Sequence, residues 1–143
     1  MTIKFKAVII DNQNEKFTRE IKELDTSHLK DGNVLIKIDY SSLNYKDAMI
    51  LKDGGRIVRK FPFVPGIDFS GKVVESEDER FKKDENVICT GFRVGEMYYG
   101  GFSQYAKVDS NFLIKNPKNI DSKKSMMLGT AGFTALQCSF AIK

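Results

Sequence analysis

Two polar segments in the first half of the chain hold the residue types best suited to chemistry. The first, Ser41–Asp47, follows a clear strand pattern and contains Asn44 and Asp47 at helix-capping spacing. In one interpretation this cap is purely structural. In the second interpretation the cap also lies at the border of a ligand site. The first backbone N–H groups of a helix lack helical partners and therefore attract polar ligands. The second segment, Pro65–Gly71, reads PGIDFSG.

Tyr45 follows the candidate cap and carries a phenol hydroxyl that can donate a hydrogen bond. In a ligand site this group would orient a carbonyl oxygen or deliver a proton. The ring is also amphipathic and is suited to packing at the edge of a core. The sequence leaves these alternatives open.

A basic run surrounds the glycine turn Gly54-Gly55. It comprises Lys46, Lys52, Arg56, Arg59 and Lys60, and Arg93 follows in a later loop. Phosphate recognition is one interpretation, because arginine forks match phosphate oxygens, and it makes Arg59 and Arg93 the candidate ligands. A solvated loop is the other interpretation.

A third segment, Leu128–Thr134, combines small residues with hydroxyls. Its glycines permit close backbone approach, and Thr130 supplies a hydroxyl group. The pattern is typical of a glycine-interrupted helix junction or of a site that a ligand approaches closely. Both interpretations stay open.

Composition excludes several classes of function. The net charge is +4, and the lysines are scattered along the chain. A nucleic-acid-binding protein is expected to show a basic stripe with interleaved aromatic residues, so we expect no nucleic-acid partner. No apolar run is long enough to cross a bilayer, so we expect no membrane partner and a cytoplasmic protein with reduced thiols. Cys89 and Cys138 lack metal or redox spacing and are predicted to be small buried hydrophobes. His28 is alone and cannot supply a tetrahedral metal site.

The pattern of elements predicts a mainly β fold, a partly open barrel of short, mostly antiparallel strands with few helices. The predicted strands are 5–10, 17–24, 34–40, 67–74, 87–89 and 102–108. Turns are predicted at 12–14, 31–33 and Gly100-Gly101. One short helix is predicted at 45–51. A second helical segment, 122–143, is interrupted at Gly129 and Gly132, and its apolar residues predict a partner segment to bury against.

An ordered series of segments resembles one protein family along nearly the whole chain. The segments are Ser41–Ala48, Phe61–Gly71, Ser76–Phe81, Gly100-Gly101 and Leu128–Ala135. They resemble the substrate-side domain of zinc-free medium-chain dehydrogenase/reductases, the quinone oxidoreductase family, and are most similar to the branch of NADPH-dependent acryloyl-CoA reductases.

The resemblance implies a GroES-like domain over residues 1–121. It implies that 122–143 begins a doubly wound NADPH-binding domain that the chain lacks, so we expect the chain alone to be inactive. It also implies a small-molecule substrate, an enoyl-CoA such as acryloyl-CoA or a quinone, and is compatible with a homodimer at full length. The alternative is a non-catalytic GroES-like binding or assembly module.

The resemblance also implies roles for individual residues. Asn44, Tyr45 and Asp47 would be catalytic, edging the cleft between substrate and nicotinamide. The cofactor-binding residues would be Tyr45, Thr130 and Thr134. Arg59 and Arg93 would contact phosphates of the substrate or of NADPH.

Two departures from related sequences limit what the resemblance implies. Zinc members carry a cysteine and a His-Glu pair where this chain has Asn44, Ile67 and Asp68, so no metal site is expected. The loop between Gly91 and Gly101 differs from that of the acryloyl-CoA reductase branch. The choice between enoyl-CoA, enone and quinone therefore stays open.

Overall fold

The computed structural model of the chain describes residues 2–13 and 16–142. It is built mainly from antiparallel strands, as the sequence predicts. Strand β1 (Lys4–Gln13) pairs with strand β2 (Lys16–Asp25) along its full length. The strand predicted at 5–10 is therefore too short. Of the turn predicted at 12–14, residues 12 and 13 are strand, and residue 14 lies outside the described residues.

The second sheet has five strands in the order β6-β3-β4-β5-β7, and every neighbouring pair is antiparallel. Its members are β3 (Val34–Ser41), β4 (Asp68–Ser76), β5 (Asn86–Thr90), β6 (Tyr105–Val108) and β7 (Leu113–Lys115). Short 3-10 turns, Thr26–His28 and Ser110–Phe112, precede β3 and β7. Isolated bridges from Ala7 to Ser103 and from Ile10 to Phe63 hold the hairpin against the segments that flank this sheet.

Strand β3 is buried on both faces at its start, which places it at the centre of the fold. Val34 and Ile36 enter the main core with Phe69 of β4. Leu35, on the opposite face, packs in a second cluster with residues of the hairpin. The period-two pattern predicted for β3 is confirmed, because alternate side chains of a strand face opposite sides of the sheet. Near the strand's end, Tyr40 is exposed.

Helix α1 (Tyr45–Asp53) forms where the sequence predicts it and runs slightly past residue 51. It ends at Gly54, whose φ of 81° lies in the left-handed region and whose N–H donates to the Ile50 carbonyl at 2.8 Å. Ile50 is buried and packs with Ile10 and Phe63. This contact seats α1 against the hairpin.

The sequence predicts a turn at Gly100-Gly101. In the structure these two glycines also allow two segments of the chain to approach each other closely. The N–H of Gly100 donates to the Val64 carbonyl and that of Gly101 to the Gly66 carbonyl, both at 2.8 Å. A Cβ built on Gly100 would lie 2.3 Å from the Gly66 carbonyl oxygen. Only glycine fits between these backbones, and the contact fixes the segment that precedes β4.

Helix α2 (Ser122–Ala141) begins where the sequence predicts and is kinked once. Gly129 has φ 49° and ψ −158°, whereas Gly132 continues the helix. The predicted interruption is therefore confirmed at Gly129 and wrong at Gly132. Ser125 and Met126 are buried before the kink, and most side chains beyond it are exposed. The domain boundary expected at 121 stays a prediction.

The two cysteines lie in different environments. Cys89 is buried in β5 as predicted, and burial raises the pKa of its thiol to about 12. The predicted burial of Cys138 is wrong, because the second half of α2 extends away from the sheet and leaves this residue exposed. No helix within residues 2–13 and 16–142 is long and apolar enough to span a membrane.

Candidate functional site

Asp47 ties the start of α1 to the segment before β4. Its Oδ2 accepts a hydrogen bond from the Asn44 backbone N–H at 2.9 Å, and its Oδ1 accepts one from the Ile67 N–H at 3.0 Å. Asp47 is fully buried. Burial raises the pKa of its carboxyl, the two N–H donors oppose that shift, and the neighbouring Asp68 carboxylate adds to it.

Asp68, the first residue of β4, is the centre of the polar cluster and is fully buried. Its Oδ2 accepts hydrogen bonds from the Ser42 hydroxyl at 2.8 Å, from Asn44 Nδ2 at 3.0 Å and from the Thr130 N–H at 2.8 Å. Its Oδ1 accepts from the Thr130 hydroxyl at 2.6 Å. A buried carboxylate needs several donors of this kind, since it has lost its water.

The kink in α2 brings Thr130 to this carboxylate. A Cβ on Gly129 would lie 2.8 Å from Asp68 Oδ2 and 3.1 Å from the Ser42 Oγ, so the helix approaches the cluster more closely than a side chain permits. Thr134 lies one turn further along α2, and its hydroxyl donates to the Thr130 carbonyl at 2.9 Å. Thr130 is therefore bonded to Asp68 through its N–H and hydroxyl and to Thr134 through its carbonyl.

Asn44 is oriented from three sides. Its Nδ2 lies 3.0 Å from the Ser42 Oγ, 3.3 Å from Asp47 Oδ2 and 3.0 Å from Asp68 Oδ2. These acceptors fix the direction of the amide group. The structure therefore brings the predicted residues Asn44, Asp47 and Thr130 into one hydrogen-bonded cluster, which we call the Asp68 cluster.

Tyr45 is 83% exposed, so it does not pack as a core residue, one of the two alternatives that the sequence leaves open. It lines a cavity of about 400 Å³ together with Met49, Lys52 and Arg56. Tyr45 directly follows Asn44 in the chain, and the cavity that its ring lines is separate from the hydrogen bonds of the Asp68 cluster.

Arg59 and Arg93 line the same cavity, of about 360 Å³, although they are far apart in sequence. Glu96 lines it as well and forms an ion pair with Lys46 of α1, with Nζ and Oε1 2.7 Å apart. The Nε of Arg93 lies 3.7 Å from Glu96 Oε2. The two predicted arginines are therefore neighbours of each other and do not belong to the Asp68 cluster.

Sequence reasoning missed Asp68 and Ser42 as members of the site. Asp68 entered only as a departure from the zinc ligands of related sequences. The available signal was an acidic residue within the otherwise uncharged stretch 61–71, which predicts a buried and therefore hydrogen-bonded carboxylate. Ser42 carried no signal beyond its place in a polar segment.

The described residues contain no group of three or more His, Cys, Asp or Glu side chains placed to hold a metal ion. The resemblance drawn from the sequence implies that Asn44 and Asp68 stand where zinc-containing members carry a cysteine and part of a His-Glu pair. Here the Asn44 amide donates to the Asp68 carboxylate directly. The site can orient groups by hydrogen bonding, and the cluster contains no cysteine or histidine that could act as a nucleophile and base.

With this geometry established, comparisons define the family. The profile of the alcohol dehydrogenase GroES-like domain matches residues 30–118, and the chain belongs to this family. It is 43% identical to "Acrylyl-CoA reductase AcuI" of Ruegeria pomeroyi over 97% of its length, and 41% identical to "Putative quinone oxidoreductase YhfP" of Bacillus subtilis over 94%. The resemblance drawn from the sequence and its GroES-like fold are confirmed.

A solved structure agrees with these relatives. The Salmonella enterica yhdH oxidoreductase in complex with NADP superposes with a TM-score of 0.91 at 42% identity, covering 95% of this chain and 42% of that one. The chain spans 43% of the Ruegeria relative and 41% of the Bacillus relative. The likeness therefore concerns less than half of each of these proteins.

Proposed function

We propose that this chain forms the substrate-side wall of an NADPH-dependent oxidoreductase that reduces an activated C=C bond, as in an enoyl-CoA, or a quinone. The observation that carries the proposal is the Asp68 cluster, in which one buried carboxylate holds Asn44 and Thr130; the exposed Tyr45 directly follows Asn44 in the chain. The names of the AcuI and YhfP relatives support the same reaction class.

The residues present fit a nicotinamide cofactor. Thr130 donates its hydroxyl proton to Asp68, and the lone pairs of that oxygen remain able to accept an N–H from a carboxamide. The surrounding residues of α2 are small: Gly129, Ala131 and Gly132. On this basis we assign Thr130 to cofactor binding, and we propose Tyr45 and Thr134 as further cofactor-binding residues because the family resemblance implies those roles. When bound, NADPH supplies a hydride.

Hydride addition to an activated alkene places negative charge on the conjugated carbonyl oxygen, and the chain must stabilise that charge. Tyr45 is an exposed hydrogen-bond donor that directly follows Asn44 in the chain, and it would donate its phenol O–H to this oxygen. Asn44 would orient the substrate, since its amide is already held in one direction. Asp47 and Asp68 act as positioning residues, because their oxygens are occupied by protein donors.

The test is a chimera. The matching segment of the Ruegeria pomeroyi relative is replaced by these 143 residues, and NADPH oxidation is followed with acryloyl-CoA and with a panel of quinones. We expect turnover with at least one class. Tyr45→Phe should lower kcat by about tenfold to a hundredfold, because a donor to the developing charge is lost. The exposed Lys118→Ala serves as the matched control.

A folded chimera that oxidises NADPH with neither substrate class would contradict the proposal. An unchanged kcat in Tyr45→Phe would remove Tyr45 from the mechanism while leaving the reaction class intact. Activity of the chimera without further substitution distinguishes these two outcomes, because only the first outcome requires that chimera to be inactive.

We also propose a cytoplasmic location. Cys89 and Cys138 are both free, which is the usual state of thiols in a reducing compartment. Fractionation of the source cells that places the protein outside the cytoplasm would contradict this.

A further inference from the structure

A second cavity adjoins the one that Arg59 and Arg93 line. The first has a volume of about 360 Å³ and the second about 530 Å³, and Lys60, Phe63 and Met97 line both. Because the two cavities share these three lining residues, they lie side by side, and we call them together the basic groove.

The basic groove carries more positive than negative charge. Its cations are Arg59, Lys60, Arg93, Lys30 and Lys107, and its acids are Glu96 and Asp31. Glu96 is paired with Lys46, and its second oxygen lies 3.7 Å from the Arg93 Nε. Among residues 2–13 and 16–142, neither Arg59 nor Lys60 forms an ion pair with an acidic side chain. Their charges are therefore available to an anion.

The groove also carries aromatic rings. Tyr98 and Tyr99 line its second half, and Phe63 lies where the halves meet. Tyr99 is fixed by an edge-on contact with Phe63, with ring centroids 5.6 Å apart, and by a hydrogen bond from its hydroxyl to the Pro62 carbonyl at 3.2 Å. Rings held in this way offer stacking surfaces for a planar base.

The backbone beside Arg93 is held in an unfavourable conformation. Phe92 and Arg93 have φ values of 51° and 62°, in the left-handed region that side chains other than glycine and asparagine rarely adopt. The Phe92 ring stacks on Phe112 with centroids 5.0 Å apart and supports this loop. Such conformations persist where surrounding contacts impose them, and they cluster at ligand sites.

We propose that the basic groove binds the phosphorylated adenosine end of a coenzyme A thioester. The inference rests on the proposed function and selects enoyl-CoA over quinone, because a quinone has no phosphate to engage Arg59, Lys60 and Arg93. The groove is linked to α1 by the ion pair from Lys46 to Glu96, next to Tyr45. The thioester would thus extend from the groove toward the Asp68 cluster.

NADPH carries a phosphorylated adenosine too, so the shared chemistry is an adenosine with a ribose phosphate. The two sources differ in the position of that phosphate, at the 3′ carbon in coenzyme A and at the 2′ carbon in NADPH. None of the residues assigned to NADPH, Tyr45, Thr130 and Thr134, lines the groove. We assign the groove to the coenzyme A source, and titration with the two bisphosphates distinguishes it from NADPH.

The experiment titrates the 143-residue chain with adenosine 3′,5′-bisphosphate, adenosine 2′,5′-bisphosphate and menadione by calorimetry. We expect the 3′,5′ compound to bind most tightly and to lose affinity with added salt. Arg59→Ala and Arg93→Asn should each weaken binding about tenfold, the loss expected for one charged hydrogen bond. Asparagine is chosen at 93 because it tolerates a positive φ. Lys118→Ala is the control and should bind normally.

Three results would overturn the inference: no binding of the 3′,5′ compound, equal affinity in all three variants, or tighter binding of the 2′,5′ compound. Failure of the proposed function looks different. A chimera that never oxidises NADPH, built from a chain that still binds adenosine 3′,5′-bisphosphate through Arg59, would refute the reaction and leave the groove assignment standing.

Discussion

At the scale of single residues, the site depends on one buried carboxylate. Three residues donate hydrogen bonds to the Asp68 carboxylate: Ser42 and Asn44 before α1, and Thr130 in α2. Burying a carboxylate is costly unless donors surround it, so the same bonds that stabilise Asp68 also fix its partners. Asp47 is buried nearby and connects Asn44 with Ile67 in the same way.

Asp68→Asn is expected to destabilise the fold by about 2–4 kcal/mol, measured by urea unfolding. The amide would turn an N–H group toward donors such as the Thr130 hydroxyl and backbone N–H, leaving at least one of them without an acceptor. Thr130 would lose its fixed position, so activity of the chimera should fall as well.

The control for this change is Asp84→Asn. Asp84 is exposed and has φ 67°, which asparagine tolerates, so its replacement should change the free energy of unfolding by less than about 0.5 kcal/mol. If the two variants unfold at the same urea concentration, the central role of Asp68 is wrong.

At the scale of elements, glycines bring the loop before β6 against the segment before β4. Gly66 and Gly95 both have positive φ, of 107° and 75°, and a Cβ on Gly95 would lie 2.6 Å from the Gly66 carbonyl carbon. Gly100 makes the closest approach, and Val64 and Gly66 accept the N–H groups of the glycine pair. This contact sets the position of Ile67, and through it of Asp47.

Gly100→Ala should therefore destabilise the protein by about 3 kcal/mol or more, because the added methyl group meets backbone that cannot move aside. Gly91→Ala is the matched comparison. A Cβ on Gly91 would have no atom within 4 Å other than those of its own residue and its chain neighbours. The only expected loss comes from placing alanine at φ 81°, which costs about 1 kcal/mol. Chemical denaturation of both variants gives the difference, and a smaller loss in Gly100→Ala than in Gly91→Ala would contradict the argument.

At the scale of the whole molecule, α2 has two halves with different surroundings. The first half is docked, with the Ser70 hydroxyl donating to the Ser122 carbonyl at 2.8 Å and the Ser125 hydroxyl to the Asn116 side chain at 2.6 Å. The second half presents apolar side chains to solvent: Phe133 is 61% and Leu136 53% exposed. That another segment covers these side chains, as the sequence predicts, stays a prediction.

Two substitutions in α2 test this division. Met126→Ala removes a buried side chain and should cost about 2–3 kcal/mol, whereas Leu136→Gln should change the free energy of unfolding by less than about 0.5 kcal/mol. Urea unfolding of the 143-residue chain measures both. A large loss in Leu136→Gln would mean that the second half of α2 is packed within the chain.

The sequence alone determined the elements with strong local patterns. Strand β3 followed from the alternation at 34–40, and α1 followed from its cap at Asn44 and its stop at Gly54. The family resemblance followed from an ordered series of short segments. Each of these signals involves residues close together in the chain, so propensity, periodicity and capping were sufficient to predict them.

Only the tertiary structure decided which distant residues meet. Asp68 and Thr130 are 62 positions apart. Nothing in the local sequence around these two residues indicates that the Asp68 carboxylate accepts hydrogen bonds from both the N–H and the hydroxyl of Thr130. The same is true of Arg59 and Arg93 in one cavity, and of the exposure of Cys138. The burial of a charge and the path of a helix depend on which surfaces the completed fold brings into contact, and local patterns carry no information about those surfaces.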